Sequence, residues 1–106
     1  MSTFKNTITQ NVGTSATTVY TAVGNAIIIG LDVANTSAVG AAITIDVTIT
    51  KGATTIYYIK GAPIPAGSTL QVIAGQKLVL ANSDVLKLVA SAASSADATV
   101  SLLEGV

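Results

Sequence analysis

Asp32 and Asp46 are the two carboxylates with which this chain could attempt acid–base chemistry, since glycoside cleavage asks for one such group on each side of the scissile bond. They fall on two successive strand-like stretches, Ala26 to Asn35 and Ile43 to Thr50, and a hairpin between these stretches would bring them near each other. Each also has a plainer role. Asp46 belongs to the polar face of an alternating run, and Asp32 interrupts an apolar run that would otherwise invite aggregation. A Ser-Lys nucleophile needs a buried lysine, and Lys5, Lys51, Lys60, Lys77 and Lys87 all read as solvated. Histidine, cysteine and arginine are absent. That removes Ser-His-Asp and Cys-His arrangements and the usual zinc and iron ligand sets. The five acids are dispersed rather than grouped as in a calcium loop, and no glycine-rich phosphate cradle occurs. The expectation is a protein without enzymatic activity, without a metal and without any cofactor.

Tyr57 and Tyr58 could stack on bases or sugars, but adjacent residues of a strand face opposite ways, so they cannot form one platform. One in the core and one at an interface is the reading that geometry favours. Five lysines without a cluster, balanced by five acids, leave no basic stripe for nucleic acid. The longest apolar run, from Ala26 to Leu31, stops at Asp32 and falls short of a membrane-spanning helix. The segment MSTFKNTITQ has no apolar stretch of the kind a signal peptide carries. Neither nucleic acid nor membrane is therefore expected as a partner.

The elements that must position these residues are strands. From Ile43 to Thr50, Ile43, Ile45, Val47 and Ile49 alternate with Thr44, Asp46, Thr48 and Thr50, a period of two in β-branched residues. Ala26 to Asn35 is almost wholly apolar, and Asn35, Thr36, Ser37 and Gly40 supply the turn of the expected hairpin. Thr17 to Thr21 reads as a short strand. Thr54 to Ala62 reads as another, with Ile56 and Tyr58 on one face, Tyr57 and Ile59 on the other, and an end enforced by Pro63 and Pro65. Thr69 to Ile73 and Lys77 to Leu80 read as two strands separated by a turn at Ala74-Gly75-Gln76. Val85 to Ala90 places Leu86, Leu88 and Ala90 inward and Lys87 outward. Ala98 to Glu104 places Ala98, Val100 and Leu102 on one face.

Turn signals recur about every 8 to 12 residues, the spacing of an all-β sandwich. The expected fold is a single-domain antiparallel β-sandwich, jelly-roll or Ig-like, with eight or nine short strands. Residues 1–12 form an N-terminal arm or edge strand, with a loose end at Met1 to Thr3, and residues 13–106 form the sandwich.

Of 106 residues, 9 % are charged, against about 25 % in an ordinary soluble domain, and 4 % are aromatic. A surface so poor in charge is weakly protected against association, so part of it is expected to be covered by other copies or another protein. The candidate interface residues are Phe4 and Ile8 on the N-terminal arm, Ile28 in the long apolar strand, and Tyr57 and Ile59 on the doubly apolar strand.

The stretch TTVYTAVGNAIIIGLDVANTSAVGAAITIDVTIT (Thr17 to Thr50) resembles a group of small virion proteins of tailed bacteriophages, and APIPAGSTLQVIAGQKLVLANSDVLKLVASAAS (Ala62 to Ser94) fits the same rhythm. Ser83 stands where that rhythm often has glycine before the aspartate. The resemblance implies a capsid decoration (cement) protein on the virion surface. It would assemble in the host cytoplasm, bind the major capsid protein and associate with itself, as a homotrimer. A tail or head–tail accessory protein, or a host-glycan-binding module of a fibre, are the alternatives. The shared motifs are turn and strand signals, so no functional residue is carried over.

Overall fold

The computed structural model of the protein describes residues 2–37 and 40–106. Eight strands are formed among them: β1 (Thr3–Val12), β2 (Thr17–Thr21), β3 (Ala26–Asn35), β4 (Ile43–Lys51), β5 (Thr54–Ile64), β6 (Thr69–Leu80), β7 (Val85–Ala90) and β8 (Ala96–Glu104). They build two four-stranded antiparallel sheets, ordered β1-β8-β3-β6 and β2-β7-β4-β5. Two such sheets face to face, with this order, make a jelly-roll sandwich. The inward side chains of both sheets form one core, in which Ile28, Leu31, Ile45, Leu86, Leu88 and Leu102 are fully buried. β7 shows the alternation plainly: Leu86, Leu88 and Ala90 are buried, and Lys87 points out.

β3 and β4 are not a hairpin. β3 pairs with β6 and β8, whereas β4 pairs with β5 and β7 in the opposite sheet. The chain between them crosses the sandwich, and Asn35 anchors the crossing. Its buried Nδ2 donates to the carbonyls of Ala41 (2.8 Å) and Ile64 (3.0 Å), and its Oδ1 accepts from the Ser37 amide (2.9 Å). The residues expected to turn the chain thus supply polar anchors for an arch; Ala38 and Val39 lie outside the described residues. The hairpin that does form joins β4 to β5 through residues 52–53, with Gly52 in the left-handed region (φ 58°).

Bulges in β3, β6 and β5 account for the departures from the expected strands, and β1 and β2 carry register shifts of their own. In β3, Ile28 pairs with Leu102 and Gly30 with Ser101, so Ile29 is an extra residue relative to β8. It switches the inward parity from Ala26 and Ile28 to Leu31, Val33 and Asn35. In β6, the expected turn at residues 74–76 is a bulge within one continuous strand. The Gln76 side chain serves the main chain there: Nε2 donates to the Val72 carbonyl (3.0 Å) and Oε1 accepts from the Ala74 amide (3.2 Å).

β5 carries two register shifts. At one of them Gly61 adopts φ 67° and its amide donates to Asp46 Oδ1 at 2.7 Å. Pro63 does not end β5. It pairs with Thr44, and the strand runs on to the buried Ile64. β5 is an edge strand, where a missing N–H is tolerated.

Candidate interaction surface

The two outer faces of the sandwich differ. On the β2-β7-β4-β5 sheet, Thr18, Lys87, Thr48 and Tyr57 stand in register across the four strands. On the other sheet the corresponding row is apolar throughout. Phe4 on β1 pairs with Leu103 on β8, Leu103 with Ile27 on β3, and Ile27 with Val79 on β6. Phe4 is 78 % exposed and Val79 67 %. A second row, Ile8, Thr99, Asp32 and Gln71, crosses the same sheet further along. Between the two rows lie Asn6, Ser101 and Gly30, all small or polar. Half-buried Leu103 and Ile27 and exposed Val79 complete this row, and none of the three is among the five candidate interface residues. Their continuity depends on the strand order, which periodicity does not reveal.

The five candidate interface residues do not share one surface. Phe4 and Ile8 do, both pointing out from β1 and both 78 % exposed. Tyr57 is exposed on the opposite sheet, where the Lys60 ammonium lies 4.2 Å from its ring centroid, a cation–π contact. Ile59 is no outward partner of Tyr57. A register shift at Tyr58 sets Tyr57 opposite Thr48 but Ile59 opposite the buried Val47, so Ile59 turns inward and packs on the core. Tyr58 packs there too. Ile28 is corrected most sharply. It is 0 % exposed and wholly intramolecular, while the adjacent bulge residue Ile29 is the one turned to solvent.

The remaining polar clusters hold the fold together. Asp32 lies between buried Leu31 and Val33, and Asp46 between buried Ile45 and Val47, so the two acids point outward from opposite sheets. They do not form a catalytic pair. Asp84 is buried, accepts from Lys51 Nζ (2.9 Å) and the Ala81 amide (3.0 Å), and is held below the usual carboxylate range chiefly by Lys51. Tyr20 donates to Glu104 at 2.6 Å, and Lys5 Nζ lies 3.5 Å from the same carboxylate. Burial and that hydrogen bond push the Tyr20 phenol up to about 12, and the same bond, with Lys5, holds Glu104 low.

A depression of about 400 Å³ beside Ile8, Thr9, Gln10, Asp97, Ala98 and Thr99 is shallow, and its one carboxylate already accepts from the Asn11 amide at 2.9 Å.

The fold is shared with solved structures. A chain of the Bacillus endospore appendages, a family of disulfide-linked pili, matches with a TM-score of 0.58 at 13 % identity, over 99 % of this chain and 88 % of that one. A chain of infectious bursal disease virus, Gx strain, matches with a TM-score of 0.53 at 16 % identity, over 98 % of this chain and 33 % of that one. The protein thus spans about a third of the viral chain. At such identities the likeness establishes the sandwich fold. No family model matches the sequence, and no curated protein does.

Proposed function

We propose that the protein is a non-enzymatic structural subunit of a virion, of the capsid-decoration type, bound to the major capsid protein of a tailed bacteriophage. The observation that carries this reading is the apolar row Phe4, Leu103, Ile27 and Val79, which crosses a whole sheet on its solvent side. Such a face, on a chain with 9 % charged residues, is suited to being covered by another protein. The phage-like motifs support the setting. Both fold neighbours come from assemblies, an appendage and a virus, which agrees with a structural role. The same surface would serve a tail or head–tail accessory protein.

The test is co-sedimentation of the purified protein with phage heads, followed by imaging of the particle. Binding to the shell that is lost in Val79→Lys, a change on the surface that leaves the core intact, is the expected result. Protein that stays in the supernatant, or density located on the tail, overturns the decoration assignment.

A further inference from the structure

The four sheet edges are unequally protected. β5 carries Pro63, Lys60 and two register shifts. β6 is bulged, with Gln76 occupying the Val72 carbonyl and the Ala74 amide. β2 has only five residues and a register shift of its own. These are the devices that stop an edge from recruiting another strand. β1 lacks them over most of its length. From Thr3 to Thr9 it runs in unbroken register with β8, without proline or glycine and with Lys5 as its one charge. The opposite side of β1 pairs with no strand among the described residues, and β2 reaches it from the other sheet through the Thr7 hydroxyl, which donates to the Val19 carbonyl (2.8 Å). In an antiparallel ladder about half of an edge strand's residues direct both N–H and C=O away from their partner, so β1 presents a row of free backbone groups.

We infer that β1 pairs antiparallel with β1 of a second copy about a two-fold axis at Asn6, giving one continuous eight-stranded sheet. The outward residues Phe4, Asn6 and Ile8 are spaced symmetrically about Asn6. An axis there sets Asn6 opposite its own copy, Phe4 opposite Ile8 of the second copy, and Ile8 opposite Phe4. Both are aromatic–β-branched cross-strand pairs, a favourable combination. The two most exposed apolar side chains of the molecule thereby cover each other. Lys5 falls opposite Thr7, and each Lys5 keeps its own Glu104, which tempers the diagonal approach of the two ammonium groups. A two-fold contact of this kind is self-complementary and closed, so assembly stops at a dimer. It replaces the three-fold arrangement expected from the resemblance. It also deepens the particle reading, because the dimer carries two apolar rows on one face.

The experiment needs no particle, so its failure is distinct from failure to bind capsids. The mass in solution is measured by light scattering for the wild type and two surface double variants. The wild type is expected at twice the mass of one chain. Phe4→Lys with Ile8→Lys opposes lysine to lysine and should give single chains, whereas Phe4→Lys with Ile8→Glu opposes lysine to glutamate and should restore the dimer. Circular dichroism confirms that both variants keep the strand signal. As a second measurement, Asn6→Cys introduces the chain's one thiol, directly opposite its copy, and should yield a disulfide-linked dimer on mild oxidation. A wild type of single-chain mass, a dimer that survives the two lysines, or an Asn6→Cys variant that stays uncross-linked overturns the inference.

Discussion

The phenol of Tyr20 on β2 donates a 2.6 Å hydrogen bond to the carboxylate of Glu104 on β8, tying one sheet of the sandwich to the other. Lys5 of β1 approaches the same carboxylate at 3.5 Å, so three strands meet at one acid. Tyr20→Phe removes the bond and keeps the ring. It should lower the unfolding free energy by roughly 1 kcal/mol in denaturant titrations, with little change in the slope.

The same contact sets the alkaline limit. The folded phenol is pushed up to about 12, above the ordinary value of about 10 in the unfolded chain. Its contribution is complete below the unfolded value and is lost as the pH rises through the folded one. Denaturation midpoints should therefore fall between about pH 10 and 12, and Tyr20→Phe should remove much of that fall.

At the acid end, Glu104 and Asp84 are both held below the usual carboxylate range, by Tyr20 and by Lys51 respectively. Below about pH 4 the unfolded chain takes up protons first. Stability is whole above that point and declines as the pH falls through the lowered folded values. Lys51→Met should flatten the part due to Asp84, read from midpoints measured between neutrality and strong acid.

Ile28→Ala should cost about 2–5 kcal/mol of folding stability, since it opens a cavity in a filled core. Ile28→Asp should prevent folding altogether, because an unpaired charge would replace a fully buried side chain. Loss of the cooperative thermal transition is the measurement. An Ile28→Asp protein that melted normally but failed to assemble would contradict the placement of this residue in the core.

Ser83 holds φ 75°, with its amide donating to the Ala22 carbonyl at 2.9 Å, in a conformation natural to glycine. Ser83→Gly should relieve about 1–2 kcal/mol of strain, offset in part by the roughly 0.5–1 kcal/mol entropic cost of glycine, and so raise the melting temperature. Serine at this position thus marks local backbone strain in the turn before β7.

Much of the strand content was legible. β2, β3 and β7 occupy the stretches that their residues indicate, and the inward faces of β4, β7 and β8 follow from alternation. What periodicity leaves open is the neighbour of each strand. Ala26 to Thr50 carries every mark of a hairpin, yet the polar groups of Asn35 stabilise a crossing between sheets. The uniform run Ile27-Ile28-Ile29 conceals a bulge, so that only the middle isoleucine is buried completely. Ile59 faces inward rather than outward for the same reason, because an inserted residue changes which face later side chains take. The apolar row on the outer face was hidden too, since its four members come from four distant parts of the chain.

β8 lies between β1 and β3, at the interior of its sheet, although it comes last of the eight strands in chain order. Until it arrives, β1 has no partner in its sheet and β3 is bordered on one side only. The β4–β5 hairpin is the single local pairing among the eight strands described, and every other ladder closes over a long loop. Chains with such topology fold slowly, in milliseconds to seconds. A newly made copy therefore passes through a period in which Phe4 and Ile8 lie on an unpaired strand. A chaperone that occupies extended apolar segments would find its target there, and its depletion should lower the yield of folded protein.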